Sequence, residues 1–257
     1  MNRYTPLFDR FKYHLVIITI FLLVMTAMSH LLYPVDLLSS PRAVIGMIWN
    51  GFSASASSFG CVLSLLVLLF CVFWRADMNT EFKINALIQL LLLLVLSVGL
   101  KHVMKQVTHS PRPYTTVMAK SQVIASPRDF YTFTHHAKTQ KIVAMKETVS
   151  QWRWSNWKSQ VNYSFPSGHT TFVTLCLLFF SRLLLMKKRY AVCAVLLLWA
   201  AGVAYSRLWL GMHRPADLFG AIALENVIFL LVPYQYHRLT PWVQRQVNMV
   251  KEKWARR

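Results

Sequence analysis

Acidic side chains are scarce in this chain: nine Asp and Glu stand against 28 Lys and Arg in 257 residues. A calcium or magnesium cage needs several carboxylates close together, and no stretch of the sequence supplies such a cluster. Charge of either sign is thin, at 14% of residues, whereas 55% are hydrophobic. That apolar share exceeds what a soluble core of this length uses. Cysteine is confined to positions 61, 71, 176 and 193, all inside apolar runs and without metal-ligand spacing. These residues read as packing thiols rather than as a disulfide framework or a zinc site. Internal repeats and low-complexity tracts are also missing.

The chain does contain long runs almost free of charge: Leu15 to Met28 (extending to Tyr33), Phe52 to Trp74, Ile84 to Leu100, Thr170 to Met186, Tyr190 to Tyr205, and Leu218 to Val232. A spanning helix takes about 20 largely apolar residues, so each run extends slightly into its flanks. The expected fold is therefore an all-α integral membrane protein, one domain over 1–257, with six transmembrane helices in a bundle. Thr170 to Met186 is the weakest span because Arg182 interrupts it, and Glu225 alone breaks the last. No small-residue cleavage pattern comes after the apolar core of the first run, since Leu31-Leu32-Tyr33-Pro34 follows it, so it reads as a retained helix rather than a signal peptide.

A formal net charge of +19 suggests nucleic acid at first sight, but its placement argues for a membrane. Arg3, Arg10 and Lys12 precede span one, and Lys187, Lys188 and Arg189 fill the turn between spans four and five. Arg238, Arg245, Lys251, Lys253, Arg256 and Arg257 follow span six, in a basic tail over about 236–257. With six spans these groups share one side, which positive charge in short loops marks as cytoplasmic. Both termini are then cytoplasmic, and anionic lipid headgroups account for the basicity without nucleic acid. The outward connections are Pro34 to about Gly51, a long loop over about 101–168, and Ser206 to Pro215. The long loop has room for short helices of its own and is long enough to imply function. Its Trp152, Trp154 and Trp157, with Arg153 and Lys158, suit either a segment in the headgroup layer or a cluster packing the loop onto the bundle.

Three segments at the outward ends of these spans carry chemistry. Lys105 and, seven residues on, Arg112 offer a phosphate one point charge and one forked donor, with Pro111 and Pro113 holding Arg112 off a helix. The alternative is a pair of snorkelling interface cations. Pro166-Ser167-Gly168-His169 precedes span four; Ser167 is a candidate N-cap, and the N–H groups that follow form an anion site. Gly168 allows close backbone approach and His169 stands at the edge, although an ordinary capped helix would read the same way. Ser206-Arg207 ends span five, followed by His213 and Asp217, four apart, which share a face if they open span six. A carboxylate beside an imidazole fixes its tautomer and leaves the other ring nitrogen free for a reactant.

In order and spacing these segments resemble the three-part pattern of the type-2 phosphatidic acid phosphatase superfamily, and the resemblance covers essentially the whole chain. It implies a lipid phosphatase of a bacterial inner membrane, with its active site facing the periplasm. His213 would be the nucleophile forming a phosphohistidine, Asp217 its orienting partner, and His169 the acid and base. Lys105, Arg112, Ser167, Gly168 and Arg207 would hold the phosphoryl oxygens. No metal and no cofactor would be required. The implied partners are membrane lipid substrates, namely phosphatidylglycerol phosphate, phosphatidic acid or undecaprenyl diphosphate, with no obligate protein partner. Phosphotransfer to a second lipid, or a non-enzymatic headgroup transporter or scaffold, are the alternatives. Glu225 lies too deep for the headgroup and reads as a structural acid, with Asn85 and Gln89 as possible partners. His102, His109, His135 and His136 read as loop or interface residues, and His109 is the one to test.

Overall fold

The computed structural model describes residues 7–74, 78–232, 241–246 and 248–249, and among them every regular element is helical. Arg3, Arg238, Lys251, Lys253, Arg256 and Arg257, on which the expected orientation partly rests, lie outside the described residues. The long helices are α1 (Leu7–Leu32), α4 (Thr80–Thr108), α8 (Gly168–Met186), α9 (Tyr190–Trp209) and α10 (Pro215–Leu231). Shorter helices are α2 (Ala43–Ser55), α3 (Ser58–Phe73), α5 (Pro113–Lys120), α6 (His135–Val143) and α7 (Gln151–Ser159), with a 3-10 turn over Asp129–Thr132.

Helix α8 is the axis of the bundle. It packs against α1, α3, α4, α9 and α10 and is buried over almost its whole length. The run expected to span least well is thus the central one. Arg182 is 6% exposed, so it faces the bundle interior and not the surrounding hydrocarbon. Apolar side chains instead cover the outside, with Leu23, Phe59, Leu66, Leu91, Val95 and Leu198 all exposed. A helix surface this apolar is compatible with lipid and not with water.

By length and composition, Lys12–Leu32, Thr80–Lys120, Gly168–Met186 and Tyr190–Trp209 are long and apolar enough to cross a membrane. The run from Phe52 to Trp74 is not one straight span, as the sequence suggested. It breaks into α2 and α3, which bend by 74°. Serine explains the break. Ser55 Oγ donates to Phe52 O at 2.7 Å, Ser57 Oγ to Ala54 O at 2.7 Å, and Ser64 Oγ to Ser55 O at 2.8 Å. Hydroxyls thereby satisfy carbonyls that a continuous helix would have bonded. Gly60 is required at this corner, since a Cβ there would lie 2.0 Å from Ala54 O. The connection read as Pro34 to Gly51 therefore already contains most of α2, which lies along α9: Phe52 seats on Gly202, and Trp199 Nε1 donates to Ser55 Oγ at 2.9 Å.

The long loop begins later than about residue 101. Helix α4 continues to Thr108, so Lys101 and Lys105 are helical, and His109 ends the helix in the left-handed conformation at φ 44°. Beyond it, α5, the 3-10 turn, α6 and α7 fold back onto the bundle. Of the two readings of the Trp cluster, packing holds for its centre. Trp157 is fully buried, stacks on Tyr114 at 5.1 Å and donates from Nε1 to Leu210 O at 2.7 Å. Arg153 is buried as well, lies 4.7 Å over the Trp209 ring, and donates to Leu37 O, Ser39 O and Trp209 O. It ties the loop to two other segments. At the opposite end of the bundle, Arg189 donates to Cys71 O and Trp74 O and so caps α3.

Candidate active site

Four helix ends meet where the three sequence segments converge: the last turns of α4 and α9 and the first turns of α8 and α10. Proline sets two of these junctions. Pro113 begins α5 and Pro215 begins α10, each at a first-turn position where its missing N–H costs nothing. Arg112 thus becomes the extended N-cap residue of α5. The turn from α9 into α10 passes through Gly211 at φ 68°, a conformation that disfavours any side chain. Tyr114 N donates to Gly211 O at 3.1 Å, fastening this turn to the first segment.

His213 sits in that turn and not on α10, contrary to the shared-face expectation. Its proximity to Asp217 comes from helix capping. Asp217 is the third residue of α10, and its Oδ2 accepts from the backbone N–H of Arg214 at 2.9 Å. That bond turns the carboxylate back toward His213, whose Nδ1 lies 3.3 Å away. Ser164 Oγ donates to the same carboxylate oxygen and is 3.2 Å from His213 Nδ1. On the other side of the ring, Nε2 lies 3.2 Å from Arg112 Nη1. Guanidinium can only donate, so Nε2 must be the acceptor and Nδ1 must carry the proton. The imidazole is therefore neutral, with its lone pair on Nε2. Burial holds its pKa well below 6.5; the Asp217 hydrogen bond opposes this, and the Arg112 and Arg207 charges reinforce it.

The cations are buried and unevenly satisfied. Arg112 is 1% exposed and uses all five donors: Nε to Asn162 O, Nη1 to Met212 O and His213 Nε2, and Nη2 to Asn162 Oδ1 and Tyr163 O. Arg207, fully buried, donates to Ser53 Oγ, Asn156 Oδ1 and Gln160 Oε1, while its Nε has no partner. A buried, unpaired guanidinium N–H is costly unless it meets an acceptor from outside the chain. Lys105 Nζ donates to Tyr163 O and Ser164 O and keeps a third hydrogen.

Ser167 is the N-cap of α8: its oxygen accepts from Thr170 N at 3.4 Å and contacts Thr170 Oγ1 at 3.0 Å. Ser167 N donates to Asp217 O at 3.1 Å, which joins this segment to the third. Phe165 seats on Gly220 of α10, where a Cβ would fall 2.2 Å from its ring. His169 follows Gly168 in the first turn of α8, buried and within electrostatic range of Arg207, His213, Arg112 and Lys101. All eight residues singled out from sequence thus belong to one neighbourhood. Of the other histidines, His109 is exposed and edge-on to Tyr163 at 4.8 Å, and His102, His135 and His136 are exposed.

Several neighbours escaped the sequence reading. Lys101 reaches the α8 N-terminus: a Cβ on Gly168 would lie 3.5 Å from its Nζ. Its spacing from Lys105, one helical turn, was the available signal. Ser164, Asn162, Gln160, Asn156 and Ser53 carry no such signal. Glu225 takes Ser97 as its partner, Oγ to Oε2 at 2.9 Å, two turns along α4 from Gln89. Among the described residues no three His, Cys, Asp or Glu side chains group as metal ligands, and all four cysteines are free thiols.

The family model described as the PAP2 superfamily matches residues 86–241, a range holding every site residue above except Ser53. The chain is similar to Phosphatidylglycerophosphatase B of Escherichia coli (strain K12), 29% identical over 174 residues that cover 65% of each chain. It is also similar to the protein of that name from Haemophilus influenzae, 30% identical over 132 residues, 48% of this chain and 54% of the other. The matched part of this chain thus spans 65% and 54% of the lengths of these two relatives.

Proposed function

Because this chain belongs to the PAP2 superfamily, we propose that it hydrolyses phosphate monoester or diphosphate groups of membrane lipids through a phosphohistidine on His213. One observation carries the reading. The buried imidazole sets Nδ1 3.3 Å from Asp217 Oδ2 and Nε2 3.2 Å from Arg112 Nη1, an arrangement that assigns the proton to Nδ1 and the lone pair to Nε2. A phosphate oxygen accepting from Arg112 Nη1 would take over that donor and release the lone pair to attack phosphorus.

In the first step Nε2 bonds to phosphorus, the bond from phosphorus to the lipid oxygen breaks, and His169 protonates the departing oxygen. Asp217 stabilises the imidazolium character that develops on His213. Water then attacks phosphorus, His169 takes its proton, and the P–N bond breaks to release inorganic phosphate. Lys105, Arg112, Arg207 and the α8 N-terminus at Ser167 and Gly168 stabilise the equatorial oxygens throughout, with Lys101 as a further cation at the edge. Fixed cations already supply the neutralisation that a magnesium ion gives elsewhere, so turnover requires no metal.

Six crossings follow if the bent α2–α3 pair counts as one and the 17-residue α10 as another. Lys187, Lys188 and Arg189 then mark the cytoplasmic side, and the site opens to the outer face of a bacterial inner membrane. The name of the relatives points to phosphatidylglycerol phosphate as the substrate to try first. Turnover of a phosphate-labelled lipid should survive EDTA and vanish in His213→Ala with the fold intact. Strict magnesium dependence or an active His213→Ala would overturn the mechanism. Label recovered in a second lipid rather than as free phosphate would replace hydrolysis by phosphotransfer.

A further inference from the structure

Buried arginines are usually paired with carboxylates, yet the cations of this site are held otherwise. Every side-chain hydrogen bond described for Arg112, Arg207 and Lys105 ends on a neutral acceptor: backbone carbonyls of Asn162, Tyr163, Ser164 and Met212, the side-chain oxygens of Asn162, Asn156, Gln160 and Ser53, or His213. The carboxylate in this cluster, Asp217, is occupied by His213, Ser164 and the Arg214 N–H.

Most of these acceptors come from one stretch, Asn156 to Ser164, which leaves the end of α7 and runs to the start of α8. Asn156 is itself anchored, donating to Asn50 Oδ1 at 2.8 Å and to Trp152 O at 2.9 Å. Ser53, at the α2–α3 corner, completes the set beside Asn156, the two oxygens accepting from the same Arg207 Nη1. A carboxylate at any of these positions would bond guanidinium more strongly and would also neutralise it. An uncharged oxygen fixes the same geometry and leaves the positive charge for an incoming anion.

Resting on the phosphatase reading, we infer that Ser53, Asn156, Gln160 and Asn162 are positioning residues of a neutral cradle. The cradle aims Arg112 and Arg207 at the phosphate dianion without cancelling their charge. It gives the end of the long loop a role in substrate affinity.

The test sets near-isosteric charged variants, Asn162→Asp and Gln160→Glu, against wild type. Lipid phosphate turnover, competitive inhibition by inorganic phosphate and orthovanadate, and thermal midpoint are measured for each. A purely architectural role predicts that both variants behave as wild type, because each keeps its acceptor oxygen. The cradle predicts that KM and the inhibition constants rise about tenfold or more, while the midpoint stays level or increases. KM and inhibition constants within about twofold of wild type in both variants would overturn it. Asn162→Leu and Gln160→Leu extend the test, since loss of the acceptor should lower kcat as the guanidinium loses its aim. Wild type that hydrolyses no lipid phosphate would refute the phosphatase reading instead. Phosphate binding to the same protein, and its weakening in Asn162→Asp, would still report on the cradle.

Discussion

Ser164→Ala tests whether the hydroxyl beside the His213–Asp217 pair contributes to chemistry. Three donors converge on Asp217 Oδ2: Ser164 Oγ–H, the Arg214 N–H at 2.9 Å and His213 Nδ1–H at 3.3 Å. A hydrogen bond to a charged group contributes about 1.5–3 kcal/mol. Alanine removes that bond but leaves the other two donors, so the carboxylate stays ionised and in place. It also removes the oxygen 3.2 Å from Nδ1 that shares the imidazole proton. If half of the bond's worth is expressed as imidazolium character develops, kcat/KM falls about four- to twelvefold, at about 1.36 kcal/mol per factor of ten. The assay is hydrolysis of a lipid phosphate in mixed micelles, beside a thermal melt of the same preparation. Unchanged kcat/KM together with an unchanged melt would refute the reasoning, for the bond would then carry no energy in either state. A lower melt with unchanged kcat/KM would place the hydroxyl in the scaffold alone.

Other expectations follow from the same geometry. The folded protein holds His213 neutral, whereas the unfolded chain protonates it near 6.5; stability should therefore hold above that value and fall as pH drops below it, whereas kcat/KM should fall in acid only below the depressed pKa of the folded imidazole and fall in base as His169 loses the proton it donates. A pH series of melts and initial rates checks this, and a protein more stable in acid would contradict it. Gly60→Ala should cost about 1–3 kcal/mol, because the added Cβ would meet backbone at Ala54 O and not a side chain that can yield. The melt should drop and turnover should fall with it, since opening the α2–α3 corner draws Ser53 from Arg207. Glu225→Gln should keep turnover within about twofold, as the amide can still bond Ser97. Complete loss of activity in that variant would implicate Glu225 in proton traffic instead.

Much of the site can be read from the sequence because its charged residues are conspicuous in so apolar a chain. Lys105, Arg112, His169, Arg207, His213 and Asp217 stand at the ends of hydrophobic runs, where charge is either a membrane anchor or chemistry. The order of those runs, taken alone, implies that their ends meet. The supports of the charged groups are less visible. Asn156, in α7, and the loop residues Gln160, Asn162 and Ser164 carry no distinguishing sequence pattern, and only the path of the chain from α7 to α8 gives them partners. The corner between α2 and α3 escapes for a different reason. Hydropathy treats Ser53, Ser55, Ser57 and Ser58 as mild interruptions of an apolar run, whereas the hydroxyls of Ser55 and Ser57 take up the carbonyls of Phe52 and Ala54 where α2 ends. The spacing of Asp217 and His213 announces their contact but not its cause. A spacing of four suggested a helix face, while the bond arises from a cap that precedes the helix.

The buried, unpartnered Nε of Arg207 has a consequence for how this protein behaves over many cycles. Under the proposed hydrolysis, a site so short of negative charge would hold whichever oxyanion arrives, and the one always at hand would be the inorganic phosphate product. Throughput should then track how readily that fragment escapes, and added orthophosphate should slow turnover without any dedicated regulator.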